Sequence, residues 1–443
     1  MNDIQDRVAE LLKTGVDDPP VPITVQAVRR ERARRQVIAS LGAVTATVAL
    51  VVAGVGAFAY WVPRAVQGRP GAGLALAGTL NGVAAVSARD AWAVGYVELP
   101  SRSGWNDRPL IVHWNGSSWR RVPPPAIPNP HGFGELESVA GTATDDIWAV
   151  GVTMSRAGYQ PLIMHWNGQR WRLLHLVARQ PYTLQSVTAT SARDAWAVGG
   201  LSGHVGGAVL LHWNGRTWSQ VPTGLGPGSG VGSVAAVTAR DAWAMGTSYH
   251  YHVIDDADLI LHWNGTTWTR VRDGEYIGIM NVAAVSAQNA WAVGTGFEPH
   301  VGVGRGVRMI HWNGKTWQPQ PGLSMARGIQ LTAVGASSAS NVWAAGSAWG
   351  IDHRGAAGVL VLHWNGSHWS QQQIPGLPGS SNLRGLSVIS ASDVWAVGDL
   401  KGLTPEIFRW NGTTWSRAYG SASIGSLNQG SCGPFEPCAD ARR

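Results

Sequence analysis

Cysteine is nearly absent from this 443-residue chain: Cys432 and Cys438 are the only two, and both lie in the C-terminal tail. No further cysteine or histidine stands beside them at zinc spacing, which argues against a structural metal site. A small disulfide loop is the expectation if the tail meets an oxidising compartment. Lysine is almost as scarce (Lys13, Lys315, Lys401), and Asp, Glu, Lys and Arg together make up 14% of the sequence. The formal net charge of +7 is spread thinly along most of the chain, so no nucleic-acid stripe is read from it. Nucleophile elbows, phosphate loops and zinc-protease motifs are all missing. No cofactor or metal is implied.

Long apolar runs are also missing, with one exception. Residues 37–62 carry no charge and end with Tyr60 and Trp61. That is long enough for a helix to cross a bilayer, and aromatic rings favour the interface. Arg29, Arg30, Arg32, Arg34 and Arg35 precede the run, whereas Arg64 and Arg69 follow it. The asymmetry predicts a single-pass cell-membrane protein with residues 1–36 in the cytoplasm and the rest outside. Arg34-Arg35 and Ala57-Phe58-Ala59 suit the alternative of a cleaved signal, which leaves the same part outside. Ile4, Val8, Leu11 and Leu12 share one face of a short helix. Residues 2–14 thus read either as a docking helix for a cytoplasmic protein partner or as part of a leader that sets topology.

Abundance begins with 57 glycines and 24 tryptophans. Seven times an Asp/Asn-x-Trp-Ala run precedes a Trp-Asn-Gly-x-x-Trp cluster. The first copy is Asp90 to Gly95 followed by His113 to Trp119; the last is Asp393 to Gly398 followed by Arg409 to Trp415. Within the first unit, Gly82–Ser87 reads as an inner strand of small residues. Ala91–Val94 reads as a second strand ended by Gly95, Leu110–Trp114 as a third and Trp119–Val122 as a fourth. Asn115-Gly116 is expected to form a two-residue type I′ turn that pairs Trp114 with Ser117 and Val112 with Trp119. Four strands in each of seven units spaced about 50 residues apart predict an all-β, seven-bladed β-propeller of four-stranded antiparallel blades, preceded by one transmembrane helix. The boundaries expected are a cytoplasmic segment 1–36, the membrane helix 37–62, a linker 63–79, the propeller 80–419 and a Gly/Pro-rich tail 420–443. With its DxWAVG…HWNGxxW repeat, this stretch resembles bacterial surface propellers of the kelch and YVTN type. The resemblance implies a fold and leaves the activity open.

In such a blade, the turns joining first to second and third to fourth strands share one side of the ring. Here they are nearly invariant. The loops on the opposite side differ in every unit, so that side is the expected binding surface. It carries the aromatic residues outside the repeat: Trp105, Tyr159, Tyr249, Tyr251, Phe297 and Trp349. These suit stacking on an extracellular glycan or cell-wall polymer, or a protein interface. His250 and His252 beside Asp255, Asp256 and Asp258 match no standard metal spacing. The histidines at 113, 165, 212, 262, 311 and 363 recur at one structural position, which argues for packing rather than catalysis. So do the Asp or Asn residues of the second strands. Glu135, Glu137, Glu275 and Glu298 are the non-repeating carboxyls on the variable side, and a pair of them would be needed for a polysaccharide-acting glycosidase or lyase. A ligand-binding propeller is the expectation, with that enzyme and a transmembrane signalling receptor as alternatives.

Overall fold

The computed structural model describes residues 77–99, 107–128, 133–155, 158–174, 176, 180–201, 207–248, 257–271, 277–297, 304–320, 329–348, 358–377, 381–400 and 404–420. These form seven four-stranded antiparallel sheets, each made of four strands consecutive in sequence. In the first blade, β1 (Gly78–Ser87), β2 (Asp90–Glu98), β3 (Asp107–Trp114) and β4 (Trp119–Arg121) run outward from the axis in that order. The first strand begins at Gly78 and the last ends at Tyr419. Among the described residues no helix is long and apolar enough to cross a membrane. The segments 1–36 and 37–62 and the tail with Cys432 and Cys438 lie outside the described residues.

Two local expectations are corrected. β2 does not stop at Gly95 but continues to Glu98. The glycine lies inside the strand because β1 bulges opposite it, with the register shifting between Leu80 and Gly82. A Cβ on Gly95 would fall 2.0 Å from the Thr79 carbonyl oxygen, so the bulge admits only a residue without one. The Asn-Gly hairpin is not a two-residue turn. Trp114 pairs directly with Trp119 and Val112 with Arg121, which leaves the four-residue loop 115–118. The Asn115 side-chain oxygen accepts hydrogen bonds from the amides of Ser117 and Ser118, both at 3.0 Å, and Gly116 takes φ +92°. A side-chain oxygen that satisfies two loop amides favours this wider Asx-type loop over the tight mirror-image turn.

The tryptophans hold the blades to one another. Trp92 of β2 is buried, stacks on His113 of its own blade at 4.1 Å, and meets Trp166 and Trp171 of the second blade at 4.9 and 5.3 Å. The same triad recurs around the ring, with one ring set edge-on. It closes where Trp395 of the seventh blade meets Trp114 and Trp119 of the first at 5.3 and 5.2 Å. No strand is exchanged at closure: the last sheet is built from Asn382–Ser390, Asp393–Leu400, Thr404–Trp410 and Trp415–Tyr419. Leu80, Val83, Val397 and Ile407 pack into one cluster across that seam. Arg409 replaces the recurring histidine there. It pairs with Asp393 at 2.8 Å, lies over Trp395 at 4.7 Å and donates to the Ala88 carbonyl at 3.3 Å. A longer cationic side chain thus spans the joint that a histidine spans only within a blade.

Candidate functional site

The two ends of the ring are chemically unlike. At the constant end, each second strand begins with Asp or Asn, and in six blades that group binds the histidine opposite, in the seventh Arg409. His113, His165, His212 and His262 bond Asp90, Asp146, Asp194 and Asp241 at 2.6–2.8 Å. Burial pushes the Asp146 and Asp194 carboxyls up, but hydrogen bonds from His165 and Thr142, and from His212 and Thr190, outweigh it and hold both below the usual range. Where Asn289 and Asn341 stand instead, the partner histidines are lowered by burial. In exchange, the asparagine oxygens accept the indole N–H of Trp291 and Trp343 at 3.0 Å. This is repeated scaffold chemistry, as the recurrence implies.

At the variable end the repetition breaks down. Glu98 and Asp107 face each other across β2 and β3. Asp107 is 4% exposed and hydrogen-bonds Glu135, 9% exposed, on the inner strand Gly134–Ala143 of the second blade. Glu137, half-buried two residues on, repels Glu135 and feels the opposing charge of Arg384 from the seventh blade. Asp399 gathers the other side of the mouth. It accepts from Arg384 Nε at 2.9 Å, Asn382 Nδ2 at 3.2 Å and the Thr79 hydroxyl at 3.1 Å.

Burial raises Glu98, Asp107, Glu135 and Glu137 above the usual carboxyl range. Burial and then the charge of Glu135 also raise the Tyr96 phenol. Burial first, then the neighbouring Glu137 and Asp107, hold the Glu135 carboxyl well above the usual range, so the contact with Asp107 favours one shared proton in the pair. Carboxyls in direct hydrogen-bond contact leave no room for a glycosidic bond between them; glycosidases keep the pair about 5–9.5 Å apart.

The raised value at Glu135 has a consequence for stability. The folded protein keeps a proton that the unfolded chain releases above pH ~4.3. Stability from this group is therefore complete below that pH and declines as pH rises through the folded value. In Glu135→Gln the decline should be removed, leaving melting temperatures flatter with pH and no lower than those of the unsubstituted protein under alkaline conditions. A pH series of melting curves with an unchanged slope would show that Glu135 does not carry the proton.

Of the aromatic residues expected to bind ligand, Tyr159 is placed at the variable end, opposite Met154 at the tip of the second blade, where burial and then the charge of Glu135 raise its phenol. Phe297 ends the strand Asn289–Phe297 at the same end of the ring. Trp105, Tyr249, Tyr251 and Trp349 lie outside the described residues, as do Glu275, Glu298, His250 and His252. Glu135 and Glu137 were legible as candidates, whereas Glu98, Asp107, Arg384 and Asp399 were not. One signal was available: the inner-strand bulge position reads Asn81, Glu137, Gln185, Gly232, Met280, Thr332 and Arg384, changing its chemistry in every blade.

No family model and no curated protein matches this sequence. Among solved structures, the chain is similar to the GH74 xyloglucanase from Xanthomonas campestris, with 11% identity over 77% of this chain and 55% of that one, at a TM-score of 0.53. It is likewise similar to a polysaccharide lyase, an ulvan lyase, with 11% identity, 79% and 97% coverage and a TM-score of 0.52. The BP39L lectin from Burkholderia pseudomallei gives 10% identity, 78% and 99% coverage and a TM-score of 0.51. At these identities the likeness establishes the seven-bladed propeller of four-stranded antiparallel blades, and with it the architecture alone.

Proposed function

We propose that this protein is a membrane-anchored ligand-binding propeller that recognises a glycan or cell-wall polymer through the variable end of its ring. One observation carries the reading. The exposed large hydrophobic side chains among the described residues are Met154, Tyr159 and Met280, at 37–39% exposure, and all three lie toward the variable end, Met154 and Tyr159 on the second blade that also carries Glu135 and Glu137. Packing does not require apolar surface or buried like-charged carboxyls there, and such groups mark recognition sites. The contact between Asp107 and Glu135 leaves that pair unsuited to glycoside hydrolysis. The solved propellers of similar architecture include a lectin and two enzymes acting on polysaccharides. The arginine asymmetry about residues 37–62 supports an anchor that displays the ring outside the cell.

The test is a panel of glycans and cell-wall fractions presented to the detergent-solubilised full chain, scored for both retention and chain shortening. Saturable binding is expected, weakened about tenfold or more by Tyr159→Ala. Shortened products would replace this reading with a polysaccharide-acting enzyme. Retention that Tyr159→Ala and Glu137→Gln both leave intact would move the site away from the variable end.

A further inference from the structure

The constant end has a chemistry of its own that the binding proposal does not use. All seven turns between first and second strands are two residues long, and all seven loops between third and fourth strands are four residues long. This end is therefore level from blade to blade. Its exposed charged side chains in those turns and loops are Arg89, Arg170, Arg193, Arg216, Arg240 and Lys315, against the single acid Asp145. The carboxylates beneath them (Asp90, Asp146, Asp194 and Asp241) are buried, each bonded by a histidine. None of the six cations has an ion-pair partner among the described residues. Three are also held in place: the Cβ and Cγ atoms of Arg89, Arg193 and Arg240 sit beside the loop glycines Gly116, Gly215 and Gly265 of their own blades. With the stem packed across the loop, the guanidinium is presented outward at one repeating position.

We propose that this level face binds a linear acidic polysaccharide, laid along the arc of blades one to four. The turn position carries Arg89, Arg193 and Arg240 in blades one, three and four; blade two has Asp145 there and supplies Arg170 from its other loop, so each of the four blades presents at least one cation. Packed sheets lie about 10 Å apart, so these cations recur at about that spacing or somewhat more. A polymer charged once per two-sugar repeat has comparable spacing. The phosphates of a nucleic acid strand, about 3.4 Å apart, are far denser than the array. Guanidinium groups suit carboxylate, because their planar fork donates two parallel hydrogen bonds. Met154, Tyr159 and Met280, which would insert into a lipid surface, are at the other end of the ring, so the contact on this face is ionic and salt-sensitive. The ring thereby has two independent surfaces, a cationic level face and an acidic, partly apolar mouth.

Hyaluronan, with one carboxylate per two sugars, is the probe, and neutral dextran is the control. The full chain in detergent is compared with the triple variant Arg89→Gln/Arg193→Gln/Arg240→Gln, so that the N-terminal arginines are the same in both. The near-ultraviolet signal of the tryptophan clusters verifies folding. The expected result is hyaluronan binding that weakens with salt and falls about tenfold or more in the triple variant. Equal affinity of wild type and folded triple variant, equal binding of dextran, or retention on DNA without retention on hyaluronan would each overturn the proposal.

Discussion

Trp196→Ala should lower the stability of the ring by about 3–5 kcal/mol, the range for truncating a fully buried large aromatic side chain. Trp196 has no exposed surface, and its ring is held between three others. His212 of the same blade lies at 4.4 Å, and Trp263 and Trp268 of the next blade at 4.9 and 5.0 Å. Removing the indole leaves a hole bounded by two rings that are themselves fixed: Trp263 donates its N–H to the Ala239 carbonyl at 3.1 Å, and Trp268 is buried. Neither can collapse inward cheaply, so the cost belongs near the top of the range. The whole interface between the third and fourth blades depends on this contact, together with Val198, Leu210, Val234 and Leu261. Denaturant unfolding followed by tryptophan fluorescence gives the shift, and the near-ultraviolet spectrum reports loss of the stacked geometry. A change below about 1 kcal/mol would mean that the aliphatic residues alone hold the blades, and that the recurrent tryptophans are not the joints of the ring.

How far the sequence could be read follows from which contacts are local. Trp92, Trp114 and Trp119 declared the blade, because a repeated pattern of large residues has only one way of being buried many times over. The recurrence of His113 and Asp90 pointed to packing or a hydrogen bond, and the equivalent histidines do bond the second-strand residue opposite in each of the first six blades. The Asn115 loop was misread because the dipeptide permits two geometries, and the choice lies with hydrogen bonds from Ser117 and Ser118 to the asparagine side chain. Gly95 was misread as a strand end for a related reason. Its role depends on a bulge in the neighbouring strand, not on its own surroundings in sequence. The mouth was half legible. Glu135 and Glu137 stand out as acids in an otherwise small-residue strand, but Thr79 and Asp399 are 320 positions apart and meet only because the ring closes. The closure repeats the tryptophan packing of the other joints, but its added contact, Arg409 reaching a carbonyl of the first blade, could not be foreseen.

Gly246→Ala is expected to be the next most damaging single change, although it adds just one methyl group. Gly246 pairs with Val231 where the inner strand of the fourth blade bulges, between Val231 and Ser233. A Cβ at this position would lie 1.8 Å from the Gly230 carbonyl oxygen and 2.8 Å from the Val231 Cα. Both are backbone atoms, so no side-chain rotation relieves the overlap and the bulge itself must move. Flattening it shifts the inner strand by one residue, which would turn Val231, now 2% exposed in the core between blades, toward the opposite face. Overpacking of this kind costs about 1–3 kcal/mol and more where the backbone cannot yield, so a loss of at least about 3 kcal/mol is expected. Gly230→Ala supplies the comparison one strand away. Its Cβ meets nothing within 4 Å, so the same chemical change there should alter stability by no more than about 0.5 kcal/mol. Urea midpoints for the two variants, measured side by side, separate a general intolerance of alanine in these strands from the specific demand of the bulge. If both variants lose stability equally, strand flexibility rather than the close carbonyl approach explains why the glycine recurs in every copy of the repeat. If Gly246→Ala alone fails, the last letter of the DxWAVG motif records a steric necessity of the inner ring, and the side chains carried at the bulge, Glu137 and Arg384 among them, hold their places in the mouth because of it.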